Sequence, residues 1–336
     1  MKIAFLESNE SEREFLSKSA LAGGHELSFF PDELSDKNLA AVSGAEILSV
    51  FIYSQLNAER LSKFPSLKLV ATRSTGYDHI DTDYCAKHGI TVSNVPFYGE
   101  NTVAEHTFAL ILSLSRNVHK AYVRTIKGDF TLDGLRGFDL KGKTLGIIGA
   151  GHIGLHVVRM AKGFGMDVLV FDVKQDHFLE EVLGFRYTDF DNLLANSDII
   201  SLHAPYNPKT HHLINRGNIG KIKRGAILVN TARGSLVETH ALVEALDKGI
   251  LSGAGLDALE GEELIKEEKQ ILSRQYPQDK LETLVKNHIL LHRENVVITP
   301  HVAFYSQEAL QRILDTTISN IQSFTAGKPV NTVVPR

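Results

Sequence analysis

Three residues with chemically active side chains follow apolar, strand-like runs in the second half of the chain. Arg233, Glu262 and His301 each come shortly after such a run. An arginine head group can hold a carboxylate through two parallel hydrogen bonds. A histidine can donate or accept a proton near neutral pH, and a carboxylate beside it stabilises the protonated ring and fixes its orientation. Together the three residues could bind an organic acid and move a proton to or from it.

This set of residues suits the reduction of a 2-keto acid or the reverse oxidation of a 2-hydroxy acid. Arg233 would anchor the substrate carboxylate, His301 would protonate the carbonyl oxygen, and a bound nicotinamide would supply the hydride. Each residue also has a structural interpretation: Arg233 in an ion pair, His301 at a capped strand end, and Glu262 as a surface charge. Glu260 and Glu263 compete with Glu262, and the spacing alone does not choose among them.

A glycine-rich motif in the middle of the chain predicts the nicotinamide site. The run Gly149-Ala-Gly-His-Ile-Gly154 follows a strand-like stretch and begins a helical pattern. Gly149 would allow the tight turn, Gly151 the close approach of a pyrophosphate, and Gly154 close packing of the helix on the strand. The pyrophosphate would lie at the helix N-terminus, where free N–H groups favour negative charge.

Asp172 bears on the choice between the two nicotinamide cofactors. It ends the next strand-like stretch, about 20 residues after the glycine motif, where an acid binds the ribose hydroxyls. Its carboxylate would repel a 2′-phosphate, so we predict NAD rather than NADP, although Lys174 nearby works against that preference. A glycine turn that binds nothing is the alternative interpretation of the motif, and no metal site is predicted.

Short apolar runs alternate with longer amphipathic stretches along the whole chain, which is typical of parallel sheets covered by helices. Two doubly wound α/β domains, Rossmann-like and flavodoxin-like, with a cleft between them account for the runs better than one long sheet. Arg233, Glu262 and His301 would meet at the carboxyl edge of the second sheet, where such sheets bind ligands. The predicted strands are residues 3–6, 27–30, 47–51, 69–72 and 91–93, then 144–148, 167–171, 199–203, 226–230, 253–257 and 296–299.

Two helical patterns indicate how the domains are organised. Residues 101–115 are apolar on nearly every side, so this helix should be buried almost all round, which packing against a second copy of the chain would achieve. Residues 306–326 form a helix after the second sheet is complete, and this helix should return to the first domain. We therefore predict a discontinuous substrate domain and one continuous NAD-binding domain. The substrate domain comprises residues 1–98 plus 300–336, the NAD-binding domain residues 99–299, and the charged run 260–269 is a solvated helix, Glu262 aside.

The composition fits a globular protein and argues against several classes of partner. The 336 residues are too many for one hydrophobic core, 43% are hydrophobic, and the net charge of −4 includes no basic block. Nucleic acid or an anionic membrane would normally require such a block, and no apolar run is long enough for a signal peptide or a membrane span. Cys85 is the one cysteine and cannot form an internal disulfide, so we expect a buried thiol in a reducing compartment, the cytoplasm.

The motifs, taken in chain order, resemble those of the D-2-hydroxyacid dehydrogenase family, most closely its D-lactate dehydrogenase branch. The resemblance spans the whole chain. It rests on the glycine motif and on these further runs: Arg73-Ser-Thr-Gly-Tyr-Asp-His-Ile-Asp81, Asn94-Val-Pro-Phe-Tyr98, Val103-Ala-Glu105, Ser201-Leu-His-Ala-Pro205, Asn230-Thr-Ala-Arg-Gly234, Gly255-Leu-Asp257 with Glu262, and Thr299-Pro-His301 with Phe304.

The resemblance implies a role for each catalytic candidate. It places the catalytic acid on Glu262, the proton donor on His301 and the substrate anchor on Arg233. It also implies a set of NAD contacts in the second domain. These are Gly149, Gly151, His152, Ile153, Gly154, Asp172, Ala204, Pro205, Thr210, Thr231, Ala232, Arg233 and Asp257.

On the substrate side, the resemblance implies that the backbone N–H groups of Thr75 and Gly76 contact the carboxylate. Tyr98 and Phe304 would favour a small acid such as pyruvate, which NADH would reduce to D-lactate. The sequence departs from the family at Ala258 and Leu259, where many relatives carry a bulkier pair, and the segment 263–293 is longer than in the shorter members. Two alternatives stay open: a bulkier keto acid such as phenylpyruvate or 2-ketoisocaproate, and a non-catalytic NAD(H)-sensing protein. The family's layout further implies a homodimer formed through the NAD domain.

Overall fold

The chain folds into two compact units, which the computed structural model describes over residues 1–262 and 278–333. One unit is formed by Met1–Tyr98 together with the residues from Ser306 onward, and the other by Gly99–Tyr305. The predicted boundary at which the chain returns to the first domain, residue 300, falls before Ser306. The backbone N–H groups of Val302 and Ala303 donate hydrogen bonds to Asp257, and these bonds keep that turn in the second unit.

The strands keep the order and nearly the bounds that the apolar runs predicted. They are β1 (Lys2–Phe5), β2 (Glu26–Phe29), β3 (Ile47–Val50), β4 (Leu69–Thr72), β5 (Thr91–Ser93), β6 (Thr144–Ile148), β7 (Asp167–Phe171), β8 (Arg186–Tyr187), β9 (Ile199–Leu202), β10 (Ala226–Asn230), β11 (Leu251–Leu256) and β12 (Val296–Ile298). Strand β8 was not predicted, because two residues that include an exposed arginine give no apolar run. Strand β11 begins two residues earlier than predicted, beside a register irregularity in its pairing with β10.

The helices connect these strands. In the described residues they are α1 (Glu10–Ser17), α2 (Leu39–Val42), α3 (Ala58–Leu61), α4 (Thr82–Lys87), α5 (Glu100–Ser115), α6 (Val118–Thr125), α7 (His152–Gly163), α8 (His177–Leu183), α9 (Phe190–Asn196), α10 (Thr239–Asp247), α11 (Gln278–Leu291) and α12 (Gln307–Thr325). The predicted solvated helix of residues 260–269 falls largely on residues 263–269, which lie outside the described part. No helix in the described ranges is long and apolar enough to cross a membrane.

The first unit is built on a five-stranded parallel sheet with the order β2-β1-β3-β4-β5. Strands β3 and β4 are buried along their whole length because helices cover both faces of the sheet. The last helix, α12, belongs to this unit, and its Leu314 and Ile321 share a core with Ile3 and Phe5. Cys85 is a buried free thiol, and burial raises its pKa to about 12, so it is not poised as a nucleophile.

The second unit is built on a seven-stranded parallel sheet with the order β12-β11-β10-β9-β6-β7-β8. The chain order reverses between β6 and β9, and such a switch point is where open α/β sheets bind ligands. Helix α5 packs on this sheet, and Phe108 and Ile111 from α5 join a core with Ile147 and Val157. The predicted fold class, two parallel-sheet α/β domains, is confirmed.

Candidate active site

The residues predicted to bind the cofactor lie in the second unit, along one edge of its sheet. Strands β6, β7, β9, β10 and β11 run parallel, so their carboxyl ends meet at the same edge. Each of these strands is followed by one or more of the predicted residues. In strand order these are Gly149, Gly151, His152, Ile153 and Gly154, then Asp172, then Ala204, Pro205 and Thr210, then Thr231, Ala232 and Arg233, and finally Asp257.

Two glycines of the motif are required by close backbone approaches. Gly149 has φ = 101°, and a Cβ there would lie 2.8 Å from the backbone nitrogen of Ala204. A Cβ at Gly154 would lie 2.1 Å from the carbonyl oxygen of Gly149. Neither position can take a side chain without movement of the backbone, so helix α7 is held tightly against the turn that precedes it.

The third glycine leaves room for a ligand. A Cβ at Gly151 would meet nothing within 4 Å, so the backbone there borders open space. Helix α7 begins at the next residue, His152, and is twelve residues long. The N–H groups of its first turn and its dipole favour an anion at this end. The motif therefore fits the pyrophosphate of a dinucleotide.

Asp172 follows β7 and holds the glycine turn. One carboxylate oxygen accepts a 2.6 Å hydrogen bond from the backbone N–H of Ala150, and the other accepts one of 2.8 Å from the N–H of Lys174. A carboxylate oxygen can accept more than one hydrogen bond, so this group can also receive the ribose hydroxyls of a dinucleotide. The side chain is thus fixed beside the motif before any ligand binds.

His301 and Glu262 form a contact that spacing alone could not establish. The Nδ1 atom of His301 lies 2.7 Å from Oε1 of Glu262, and both side chains are largely buried, with 14% and 25% of their surface exposed. A hydrogen bond of this length fixes the orientation of the ring beside the carboxylate. Of the two competing glutamates, Glu260 contacts His212 instead, and Glu263 lies outside the described residues.

The turn that carries His301 is held by Asp257, which is only 2% exposed. The carboxylate of Asp257 accepts hydrogen bonds from the N–H groups of Val302 and Ala303 at 2.9 and 2.8 Å. Its carbonyl oxygen accepts another from the N–H of His301 at 3.0 Å. His301 itself has φ = 56°, a left-handed conformation that is uncommon for a residue with a side chain and persists only where the surroundings impose it.

Arg233 lies in the turn after β10, beside the loop that carries Glu262. The side chain of Asn230 fixes this turn by donating to the carbonyl oxygen of Arg233 and accepting from the N–H of Ala232. The neighbouring Gly234 packs so closely that a Cβ would lie 2.1 Å from the carbonyl carbon of Leu259. The guanidinium donates to the carbonyl oxygen of Ala232 at 2.9 Å. One sheet edge thus carries a guanidinium, a histidine–carboxylate pair and a dinucleotide turn.

Comparison with known proteins shows the family of the chain. Residues 108–303 match the model of the D-isomer specific 2-hydroxyacid dehydrogenase NAD-binding domain, and the D-lactate dehydrogenase of Escherichia coli is 35% identical over 98% of both chains. The chain belongs to this dehydrogenase family. The family predicted from the motifs is confirmed, as are its class, an oxidoreductase, and its cofactor, NAD.

Other known proteins are similar over nearly the same length. A solved D-lactate dehydrogenase from Aquifex aeolicus, complexed with NAD and lactic acid, is 39% identical, with a TM-score of 0.88 over 97% of this chain and 96% of that one. An aromatic 2-oxoacid reductase of Clostridium sporogenes is 35% identical over 90% of this chain and 89% of its own. These relatives differ in the substrates that their names give.

The predicted substrate-side residues are divided between the two units of this dehydrogenase. Thr75, Gly76 and Tyr98 belong to the first unit, in which the Thr75 hydroxyl donates to the carbonyl oxygen of Val95 at 2.8 Å. Phe304 belongs to the second unit, with its Cβ 3.8 Å from the position that a Cβ on Gly99 would take. The roles assigned to these residues, and to those of the sheet edge, stay predictions.

Two further features near the site could not be predicted from the sequence. Glu260 pairs with His212 at 2.5 Å and accepts a hydrogen bond from the Thr239 hydroxyl at 2.7 Å, which ties the loop to the start of α10. Burial raises the pKa of Glu260, but these hydrogen bonds outweigh burial and hold the pKa below its ordinary value. His203, beside Gly149, bonds to Ser201 through Nε2 at 2.8 Å, while burial lowers its pKa to about 3.

Proposed function

We propose that this dehydrogenase reduces pyruvate to D-lactate with NADH and catalyses the reverse oxidation with NAD. The observation that carries the proposal is the 2.7 Å contact between His301 and Glu262, on the sheet edge that also carries Arg233 and the glycine motif. D-Lactate dehydrogenases among the relatives support a small substrate. The bulk of Tyr98 and Phe304, the proposed substrate-side residues, supports it as well.

In this proposal, His301 is the proton donor of the reduction. Glu262 accepts the hydrogen bond from Nδ1–H, which leaves the proton on Nε2 to be given to the substrate carbonyl oxygen. After that transfer the ring is neutral, keeps its proton on Nδ1 and stays bound to Glu262. The carboxylate therefore holds the ring in one orientation before and after the proton moves.

The substrate carboxylate is held by Arg233 in this proposal, with backbone N–H groups of Thr75 and Gly76 as further donors. A guanidinium can hold a carboxylate in two places, which fixes both the position and the rotation of a small acid. Bound NADH supplies the hydride that reduces the carbonyl carbon. Fixing the acid presents one face of its carbonyl group to that hydride and places the oxygen near His301.

A keto acid with a larger side chain is the second candidate substrate. It is favoured by the similarity to an aromatic 2-oxoacid reductase and by Ala258 and Leu259, which are smaller than the pair that many family members carry. The chemistry of His301 and Arg233 would be the same for either substrate.

The substrate can be decided by following NADH oxidation at 340 nm with the purified protein. Pyruvate, phenylpyruvate, 2-ketoisocaproate, hydroxypyruvate and glyoxylate would be compared by kcat/KM, and D- and L-lactate in the reverse direction. We expect pyruvate to be the best substrate and D-lactate alone to be oxidised. A higher kcat/KM for phenylpyruvate or 2-ketoisocaproate would replace pyruvate by the bulkier class. Binding of NADH without turnover of any acid would favour a sensor over an enzyme acting on these acids.

The role of His301 has its own test. His301→Ala should lower kcat by roughly 10²–10⁴-fold, the usual contribution of a positioned acid, while the Kd for NADH stays unchanged. Stopped-flow turnover and NADH fluorescence titration measure the two quantities separately. Turnover at the wild-type rate would remove His301 from the mechanism, and an equal loss of NADH affinity would make it a structural residue.

We also propose that two copies of the chain form a dimer through the second unit, and that the protein works in the cytoplasm. Exposed apolar side chains on and after α6 support the dimer, since a second copy would cover them. The one cysteine, buried as a free thiol, supports a reducing compartment.

A further inference from the structure

A second histidine, His106 on helix α5, lies behind the turn that carries His301. Its side chain is 22% exposed, and its Nε2 atom lies 3.0 Å from the hydroxyl oxygen of Thr299. The same nitrogen is 3.6 Å from a carboxylate oxygen of Asp257. His106, Thr299 and Asp257 therefore form one connected group that joins α5 to the ends of β11 and β12.

The directions of these hydrogen bonds follow from the number of protons available. The Thr299 hydroxyl has a single proton, and it donates that proton to Oδ1 of Asp257 at 2.5 Å, the shorter and charge-assisted contact. The hydroxyl oxygen must then accept from His106, so His106 carries a proton on Nε2. This N–H strengthens the donation from Thr299 to Asp257, because hydrogen bonds in a chain polarise one another.

Asp257 passes this orientation on to His301. Oδ1 of its carboxylate accepts hydrogen bonds from the Thr299 hydroxyl and from the N–H of Val302, and Oδ2 accepts one from the N–H of Ala303. Val302 and Ala303 come directly after His301, so their hydrogen bonds hold the turn at that residue. The surroundings of His301 impose its φ of 56°, a conformation that a residue with a side chain does not favour. A carboxylate free to rotate would let this turn relax and would move the ring away from Glu262.

We propose that His106 is a positioning residue of the dehydrogenase: through Thr299 and Asp257 it keeps His301 in the conformation that meets Glu262. The inference rests on the proposed role of His301 as proton donor. The alternative to this inference is that His106 only stabilises the packing of α5 against the end of β12. The two differ in what they predict, because a structural tie affects stability, whereas a positioning residue also affects the pH range in which His301 holds its proton.

The test compares four single variants, and one double variant combined from them, with the wild-type protein. His106→Phe keeps a flat ring without the donor, His106→Gln returns an N–H near the position of Nε2, and Thr299→Val removes the hydroxyl. His119→Gln is the matched control, since His119 lies in the same unit and its ring hydrogen-bonds to the carbonyl oxygens of Ser113 and Glu294, at the opposite end of β12. For each variant, kcat, KM, the NADH Kd and the pH profile of kcat/KM for keto-acid reduction are measured.

We expect His106→Phe to lower kcat by about tenfold or more, since a small displacement of a catalytic group has effects of that size. The alkaline limb of its pH profile should move to lower pH, because a ring that is poorly held against Glu262 gives up its proton more readily. The NADH Kd should stay unchanged. His106→Gln should recover most of kcat and the wild-type limb, and His119→Gln should match wild type. Thr299→Val should reproduce the defect, and adding His106→Phe to it should cause little further loss.

The proposal is overturned if His106→Phe keeps the wild-type kcat and pH profile, or if His106→Gln is as impaired as His106→Phe. It is also overturned if the effects of His106→Phe and Thr299→Val on kcat multiply in the double variant, since independent sites behave in that way. His301→Ala separates this failure from that of the proposed function. An active His301→Ala removes the proton-donor role itself, whereas an inactive His301→Ala beside a fully active His106→Phe removes only the role of His106.

Discussion

Two histidine–glutamate pairs anchor one short loop, and their positions give them different tasks. Glu262 contacts His301 at the carboxyl edge of the sheet, where the dinucleotide turn and Arg233 also lie. Glu260, two residues earlier, contacts His212 and Thr239 and so ties the loop to α10. Both pairs join a histidine to a glutamate, but their surroundings differ. Glu262 is the candidate catalytic residue, and Glu260 has a structural role.

Exchanging each glutamate for its amide tests this division. Glu262→Gln removes the carboxylate charge beside His301, so we expect kcat to fall by roughly 10²-fold with little change in stability. The carboxylate of Glu260 has a lowered pKa and accepts hydrogen bonds from three donors. Glu260→Gln removes its charge, so the free energy of unfolding should fall by about 1–3 kcal/mol while kcat changes little. Steady-state kinetics and urea unfolding measure the two effects. The opposite pattern, with Glu260→Gln catalytically impaired and Glu262→Gln active, would contradict the assignment.

Because of His203, the free energy of unfolding should depend on pH. Burial lowers its pKa to about 3, whereas the unfolded chain binds a proton near pH 6.5. The folded state therefore holds fewer protons between these values, so the contribution of His203 is complete above pH 6.5 and is lost as the pH falls toward 3. Between pH 7 and 5 this loss amounts to about 2 kcal/mol.

The matched variant His203→Gln does not titrate and should lack this loss. Urea unfolding at pH 7 and pH 5 should show that the wild-type free energy of unfolding falls by about 2 kcal/mol more than that of His203→Gln. Every other titrating group contributes to both proteins, so the difference isolates His203. Equal losses in the two proteins would mean that His203 titrates normally in the folded state.

At the scale of elements, the turn from β6 into α7 depends on glycines for different reasons. A Cβ at Gly154 would lie 2.1 Å from the carbonyl oxygen of Gly149, so the helix would have to move away from the turn. A Cβ at Gly163, at the other end of the same helix, would meet nothing within 4 Å. Both glycines lie on the same helix, but only Gly154 has no room for a side chain. Substitutions at the two positions can therefore be compared directly.

We expect Gly154→Ala to lower stability by about 2 kcal/mol or more and to weaken NADH binding, because overpacking displaces the N-terminus of α7 from the turn. Gly163→Ala should be neutral or raise stability by up to about 1 kcal/mol, since alanine is the better helix former. Thermal unfolding and NADH fluorescence titration measure both effects. Wild-type NADH affinity in Gly154→Ala would show that the close approach is not needed for binding.

The elements were largely predictable, and the contacts within the site were not. Central strands such as β3 and β4 are continuous apolar runs because both faces of the sheet are covered, so the sequence marks them clearly. The edge strand β8 was not predicted, because it has only two residues and no apolar run. Local spacing does not predict hydrogen bonds between residues some forty positions apart. Such bonds pair His301 with Glu262, hold its turn against Asp257 and so maintain the left-handed backbone of His301. The glycine motif could be recognised because its residues are neighbours in the chain.

At the scale of the whole molecule, the second unit has an apolar surface that its own fold does not cover. The apolar segment, residues 118–132, includes α6 and has six large exposed hydrophobic side chains. They are Val118, Tyr122, Val123, Ile126, Phe130 and Leu132. Soluble monomers rarely expose such a cluster, and a second copy related by a twofold axis would bury the same patch on both chains.

Charged substitutions in this segment should separate the proposed dimer into monomers. Phe130 and Leu132 are 78% and 83% exposed, so Phe130→Asp with Leu132→Asp should leave the fold of each chain intact. Burial of each side chain is worth about 2 kcal/mol, so their combined loss should raise the dimer Kd by at least roughly a hundredfold. Sedimentation equilibrium at micromolar concentration measures the mass. Phe178→Asp is the control, since Phe178 is 70% exposed on α8, outside the segment, and its replacement should leave the dimer intact. A wild-type protein that sediments as a monomer would rule out the dimer, and a double variant that stays dimeric would move the interface away from residues 118–132.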